Sequence, residues 1–261
     1  MGKVVKGDML EVLRKHKGEF DFCFADAPFN LGQAYQGFDD RMEVSKFKAI
    51  LWQWALACWT SLKPDGVLAL HGNDLMLEEY LAWARNCKVH KIAHVIWHFR
   101  FGQCGDGNWI NSHCHCLIFA KDPKSYTWNP DAVLVESDRS STYGDPRIED
   151  SSRGGKRVPL TVWGVPSDGP YWGRVQANNK ERRESHPNQL PCVYLERLIR
   201  AYTNIGDKVV DPFGGSGTTA VVAKALNRDY LTIDISEANV ASIKARLRNN
   251  EVRIAGEWLG N

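Results

Sequence analysis

The sequence predicts an α/β fold with a mostly parallel sheet and one long inserted region. In both terminal thirds short apolar runs alternate with amphipathic helical patterns, the signature of βαβ units whose helices cover both faces of a sheet. The middle third lacks that alternation. With 261 residues, 43% of them hydrophobic and 25% charged, the chain can bury a large core, and disordered, collagen-like and coiled-coil classes are excluded.

Residues 4–6 read as the first strand, 9–16 as an amphipathic helix and 20–25 as a strand buried on both faces. A helix over 47–62 leads through the turn Lys63-Pro64-Asp65-Gly66 into a strand at 67–70. Residues 75–85 read as a helix, and strands at 92–99 and 116–120 flank a Gly-rich stretch at 102–107. From 121 to 185 Ser, Asp, Arg, Gly, Pro and Trp dominate over a span too long for an ordinary loop. Regularity returns with a helix at 192–202, a strand at 208–210, a helix at 218–226, a strand at 230–233 and a helix at 237–248. Three segments follow: 1–120, 121–185 and 186–261.

Lys and Arg number 33 against 31 Asp and Glu, so any nucleic-acid partner must be held by local basic patches. Residues 153–183 supply one, with seven bases against two acids, interleaved with Trp163, Tyr171 and Trp172. No apolar run approaches the ~18 residues of a membrane helix, and residues 1–6 open like a strand rather than a signal peptide. Seven Cys at irregular spacings suit free thiols in a reducing compartment, so the protein is expected to be cytoplasmic.

Two motifs carry chemistry. The string Asp211-Pro212-Phe213-Gly214-Gly215-Ser216-Gly217-Thr218-Thr219 joins a strand to a helix through a Gly-rich turn, where backbone N–H groups can approach a ligand. No Lys follows the last Gly, so it is not a P-loop. Asp211 would repel phosphates but attract a cation such as an ammonium. Asp234 ends the next strand, where a carboxylate can accept from ribose hydroxyls. A ribose and an amino acid in one ligand point to S-adenosylmethionine.

The second motif, Asp26-Ala27-Pro28-Phe29-Asn30, leaves a buried strand at the same sheet edge. The exocyclic amine of a nucleobase is a poor nucleophile because its lone pair is delocalised into the ring. Asp26 and the Ala27 carbonyl can accept its two hydrogens, Pro28 stiffens the turn, and Phe29 can stack on an extruded base.

Together these residues resemble the amino-methylating DNA methyltransferases acting on adenine N6 or cytosine N4. Asp26-Ala27-Pro28-Phe29 is similar to their Asp-Pro-Pro-Tyr catalytic motif, with Ala27 in place of the first Pro, and 211–219 is similar to their cofactor loop. Catalytic motif before cofactor loop resembles the permuted β-class order. The resemblance implies a Rossmann-like S-adenosylmethionine-dependent methyltransferase fold, with 1–120 as catalytic half, 121–185 as target-recognition insertion and 186–261 as cofactor half. It also implies cofactor contacts for Asp8, Asp26, His186 and Gln189, although Asp8 equally suits a helix N-cap and the other pair a turn.

Arg139, Arg147, Arg153, Lys156, Arg157, Arg174, Arg182 and Arg183 are the candidate DNA contacts, against a reading as ordinary solvated bases. His113-Cys114-His115-Cys116 has metal-ligand residue types, but strand alternation sends the His and the Cys to opposite faces, so no metal is expected. The expected function is methylation of a flipped base in double-stranded DNA, most consistent with adenine N6 because the motif opens with Asp, with cytosine N4 as the alternative. A protein-glutamine methyltransferase, a non-catalytic DNA-binding relative and a nicotinamide oxidoreductase remain as competitors; the last leaves Asp211 and the Asp26 motif unexplained. A homodimer and a restriction-modification partner are compatible with the sequence, which decides neither.

Overall fold

A computed structural model describes residues 2–35, 37–99, 107, 109–139, 144, 152–176, 179–183, 186 and 188–260. The main sheet holds eight strands: β1 (Lys3–Lys6), β2 (Phe20–Asp26), β3 (Leu62–Gly72), β4 (His90–His98), β5 (His113–Ala120), β6 (Val162–Trp163), β7 (Lys208–Asp211) and β8 (Asp229–Asp234). Their spatial order is β1-β8-β7-β2-β3-β5-β4-β6. Neighbours run parallel except where β5 lies antiparallel between β3 and β4.

Six α-helices are found among the described residues: α1 (Met9–Leu13), α2 (Val44–Ser61), α3 (Asp74–Asn86), α4 (Cys192–Tyr202), α5 (Thr218–Ala225) and α6 (Glu237–Arg248). From Phe22 to Ala25, side-chain alternation along β2 explains the two cores, while Phe20 lies across the register shift with β3. Phe22 and Phe24 point into the cluster with Leu195, Leu198 and Val221 from α4 and α5, while Phe20, Cys23 and Ala25 meet Leu51, Tyr80 and Trp83 from α2 and α3. A central parallel strand covered on both faces is apolar where both faces are packed, which is why β2 reads as an apolar run from Phe22 to Ala25.

Some element ends differ from the sequence expectation, α1 stopping at Leu13 rather than residue 16 and β5 opening at His113 rather than residue 116, and two differences go further. The turn expected at 63–66 lies inside β3 as a bulge: Phe20 pairs with Leu62 but Phe22 pairs with Val67. A Cβ on Gly66 would lie 3.0 Å from the Phe20 carbonyl oxygen, so the bulge needs Gly. The middle third, expected to lack regular structure, adds β6 to the sheet beside β4. Two of its aromatic residues serve the core rather than a basic patch: Trp163 and Trp172 are buried while Tyr171 is exposed, Trp97 Nε1 donates to the Trp172 carbonyl at 2.8 Å, and the Arg197 guanidinium stacks 4.0 Å from the Trp172 ring centre. A two-residue pattern broken by Pro and Gly gives no periodicity from which to find such a strand.

All parallel strands present their carboxyl ends at one edge, and the antiparallel β5 begins there. Ligands bind at that edge in open α/β sheets. Six cysteines are free among the described residues, and Cys104 lies outside them. No described helix is long and apolar enough to cross a membrane.

Candidate active site

The two motifs meet because β2 and β7 are parallel neighbours, with Val209 opposite Phe22 and Val210 opposite Cys23. Asp26 and Asp211 therefore end adjacent strands beside one cavity of about 900 Å³. Its walls include Asp8, Asp26, Ala27, Pro28, Phe29, His186, Gln189, Asp211, Pro212, Phe213, Gly214, Gly215, Ser216, Thr218, Thr219 and Asp234. Gly217 stands behind the wall as the left-handed N-cap of α5, its Cβ position 2.9 Å from Ile243.

Local structure fixes each motif. After Pro28 the chain turns at Asn30, whose φ of 58° is tolerable for Asn, and whose side chain accepts from Met42 N–H at 2.7 Å and donates to the Met42 carbonyl. The buried Asp40 carboxylate accepts from the backbone N–H groups of Asn30, Leu31 and Gln33. The segment after the motif is thus tied down by side-chain to backbone bonds rather than by regular structure. In the Gly-rich loop, Gly214 donates to the Ile233 carbonyl at 2.7 Å, and a Cβ there would sit 2.5 Å from Thr232. Gly215 has φ +51°, and a Cβ on it would strike the His186 ring at 2.7 Å.

Electrostatics mark the site. Burial, then repulsion from Asp211, pushes the Asp26 carboxyl up to about 8. Burial also raises Asp211 to about 6, opposed by hydrogen bonds from Thr219 and the Phe213 N–H. Two acids held above their ordinary range in one cavity favour a cationic ligand, which would restore both charges. His186 is held below the usual imidazole range by burial, and its Nδ1 is buried with no partner among the described residues. These features fit a cofactor that carries positive charge and hydrogen-bonding groups.

Other expected cofactor residues are more occupied. Asp8 caps α1, accepting from Leu10 and Glu11 N–H as its N-cap reading expects, and it also lines the cavity. Gln189 is buried and committed to the protein, donating to the Glu181 carbonyl at 2.7 Å and accepting from Arg183 N–H. Asp234 accepts from Gly215 N–H at 2.7 Å, from Ser236 N–H at 2.8 Å and from Asn239 Nδ2. A carboxylate offers about four acceptor sites, so binding two hydroxyls there requires Asn239 to yield.

Of the candidate DNA contacts, Arg174 lines the cavity, its guanidinium 5.0 Å from the Phe99 ring centre. Arg153 pairs with Asp131 at 3.1 Å, Lys156 with Glu136 at 3.9 Å, Arg157 with Asp138 at 3.0 Å, and Arg183 with Glu251. Arg139 and Arg182 are exposed, and Arg147 lies outside the described residues. Sequence reasoning did not single out His71, Tyr35 or Trp97, which also line the cavity. His71 lies opposite Asp26 in the β2–β3 register, and its Nδ1 is 3.1 Å from the Tyr194 hydroxyl. Burial holds it down to about 3, so it is neutral. The run Leu68-Ala69-Leu70-His71 carried a usable signal, a lone His ending a buried strand at the ligand edge.

Known proteins resemble the chain in sequence and in fold. A sequence-family model described as DNA methylase, of the N6/N4 type, matches residues 20–245. The chain is 31% identical over 232 residues to the type II methyltransferase M.HpaI of Haemophilus parainfluenzae, covering 88% of this chain and 69% of that protein. It is 31% identical over 254 residues to the DNA adenine methyltransferase YhdJ of Escherichia coli K12, covering 95% and 82%. The solved PvuII DNA methyltransferase, described as cytosine-N4-specific, superposes with a TM-score of 0.66 at 17% identity, covering 98% of this chain and 95% of that one. The M1.HpyAVI–SAM complex superposes at 0.60 and 16% identity, covering 95% and 100%. The chain belongs to the N6/N4 DNA methylase family and is an S-adenosylmethionine-dependent DNA methyltransferase.

Proposed function

We propose that the enzyme methylates adenine N6 in double-stranded DNA, on a base rotated out of the helix into the cavity described above. The observation that carries this reading is the meeting of Asp26, Ala27 and Phe29 with the 211–219 loop in one cavity. S-adenosylmethionine, when bound, supplies an electrophilic methyl group on a sulfonium. Asp211, Asp234, His186 and the backbone of Gly214 and Gly215 are the groups that would hold it.

The chain's own residues then act on the base. The Asp26 carboxylate accepts one amino hydrogen and the Ala27 carbonyl the other, localising the nitrogen lone pair; Phe29, 6.1 Å from the His71 ring, gives the base a stacking face. Replacing the family's Pro by Ala27 removes no acceptor, because the carbonyl belongs to the backbone. Arg174 at the rim is suited to a DNA phosphate. Adenine is preferred because the motif opens with Asp, in keeping with the adenine activity in the name of YhdJ; the PvuII enzyme keeps cytosine N4 as the second reading.

Nucleoside mass spectrometry of unmethylated duplex DNA incubated with enzyme and S-adenosylmethionine tests the choice. N6-methyladenine is the expected product. N4-methylcytosine would replace the adenine reading, and labelled protein with unlabelled DNA would overturn both.

A further inference from the structure

We infer that Asp74, His113 and His115 form a binding site for one divalent transition-metal ion at the rim of the catalytic cavity. The topology assembles it. Gly72 pairs with His115 at the end of the antiparallel β3–β5 ladder, so Asp74, two residues on at the start of α3, comes beside His115 and His113. Alternation along β5 gives both imidazoles to one face and leaves Cys114 and Cys116 on the other. The sequence expectation of no metal counted only the His-Cys run; it lacked the carboxylate that the fold supplies from another element.

One ligand atom from each residue lies within 4.8 Å of the other two. Asp74 Oδ1 is 2.8 Å from His115 Nε2 and 3.9 Å from His113 Nε2. Ligand atoms about 2.0–2.2 Å from a tetrahedral Zn²⁺ are about 3.3 Å apart, so these spacings bracket what a shared ion requires. Two imidazoles and one carboxylate suit zinc, cobalt or nickel rather than magnesium or calcium.

The group behind the site gives a second, independent argument. His115 Nδ1 is 3.0 Å from His94 Nε2, reached diagonally across the β4–β5 pair. When His115 donates from Nδ1 to His94, its Nε2 lone pair faces Asp74 and His113. That is the outer hydrogen bond that fixes the tautomer of a metal-binding imidazole. Asp74 is exposed, His113 half-buried and His115 buried, so an ion has an entry path and an anchored base. Together with Asn73 and Asn111, His113 also lines the catalytic cavity. An ion there ties the start of β5 to the start of α3 and adds positive charge where DNA would approach.

The test uses untagged full-length protein carrying Cys87→Ser, which removes an exposed thiol. Zn²⁺ is titrated by calorimetry and Co²⁺ by visible absorption, without DNA or cofactor. One ion per chain is expected, with its signal lost in His113→Ala and in Asp74→Asn, and weakened about 10–100-fold in His94→Ala. His113 and Asp74 are exposed enough for both variants to fold, which circular dichroism checks. No stoichiometric binding, or equal binding by parent and His113→Ala, overturns the site and leaves an ordinary Asp–His hydrogen-bond chain. Neither result touches the methyl-transfer reading.

Discussion

Asp26 and Asp211 end adjacent parallel strands, and the charge of Asp211 adds to burial in raising Asp26 to about 8. Such a pair is costly to ionise without a counter-charge. Replacing Asp26 by Asn should therefore stabilise the ligand-free protein. The native Asp26 pKa lies above its unfolded value, so its stabilising contribution is complete below about pH 4 and declines as pH rises towards about 8. Thermal melts of Asp26→Asn and wild type should coincide near pH 4 and diverge in favour of the variant by pH 8. A tenfold change in an ionisation equilibrium is worth about 1.4 kcal/mol, and each kcal/mol moves the melting temperature of a domain of this size by about 2–4 °C. A variant less stable than wild type at pH 8 would count against the carboxylate pair.

Filling the site with a cation should reverse that balance. Binding of S-adenosylmethionine favours the ionised form of both acids, so it should release protons at pH 6–7 and tighten as pH rises through about 6 and about 8. Calorimetry in buffers of different ionisation heat reads the released protons directly. Zero release at pH 6.5 would mean that neither acid meets the cofactor's charge.

Asp211→Ala should weaken cofactor binding by about tenfold to a hundredfold, the usual cost of ~1.5–3 kcal/mol for a lost hydrogen bond to a charged group. Asp234→Ala should cost less affinity, because that side chain is already shared among Gly215, Ser236 and Asn239 N–H donors. Isothermal titration of folded variants checks the order, and equal affinity of Asp211→Ala and wild type would remove Asp211 from the cofactor site.

For DNA, Arg174→Ala should reduce affinity more than the double change Lys156→Ala with Arg157→Ala. Lys156 and Arg157 are already paired with Glu136 and Asp138, so a phosphate must displace an acid to use them. Arg174 instead stacks on Phe99 and faces the cavity. Losing one phosphate contact lowers the log–log salt slope by about 0.9. Binding titrations across a salt series that show the reverse order would move the DNA face onto the 153–157 segment.

How much of this was legible in the sequence depends on the distance over which the signal acts. The strand–turn–helix at 208–225 and the Asp26 motif are local patterns, and parallel pairing of strands that each end in a motif is enough to bring them together. The placement of β6 was not legible, since Val162–Trp163 spans two residues and is fixed by pairing with β4. The burial of Trp163 and Trp172 depends on Arg197, some 25 or more residues away. Asp74 beside His115 follows from antiparallel register, which no run of residues announces. The paired state of Arg153, Lys156 and Arg157 likewise needs Asp131, Glu136 and Asp138, which the pairing of Val135–Glu136 with Lys156–Arg157 brings across.

The central claim is that the Asp26 carboxylate localises the amine lone pair while a methyl group is transferred. The direct measurement is single-turnover methylation of duplex DNA by Asp26→Ala, followed by nucleoside mass spectrometry, beside titration of cofactor affinity. The interaction strengthens as positive charge develops on the attacking nitrogen, so its loss should fall on the rate constant. The Asp26→Ala variant is expected to fold, keep measurable cofactor binding and lose turnover by at least about a hundredfold. A folded Asp26→Ala enzyme that methylates DNA near the wild-type rate would contradict it, whichever base carries the methyl group.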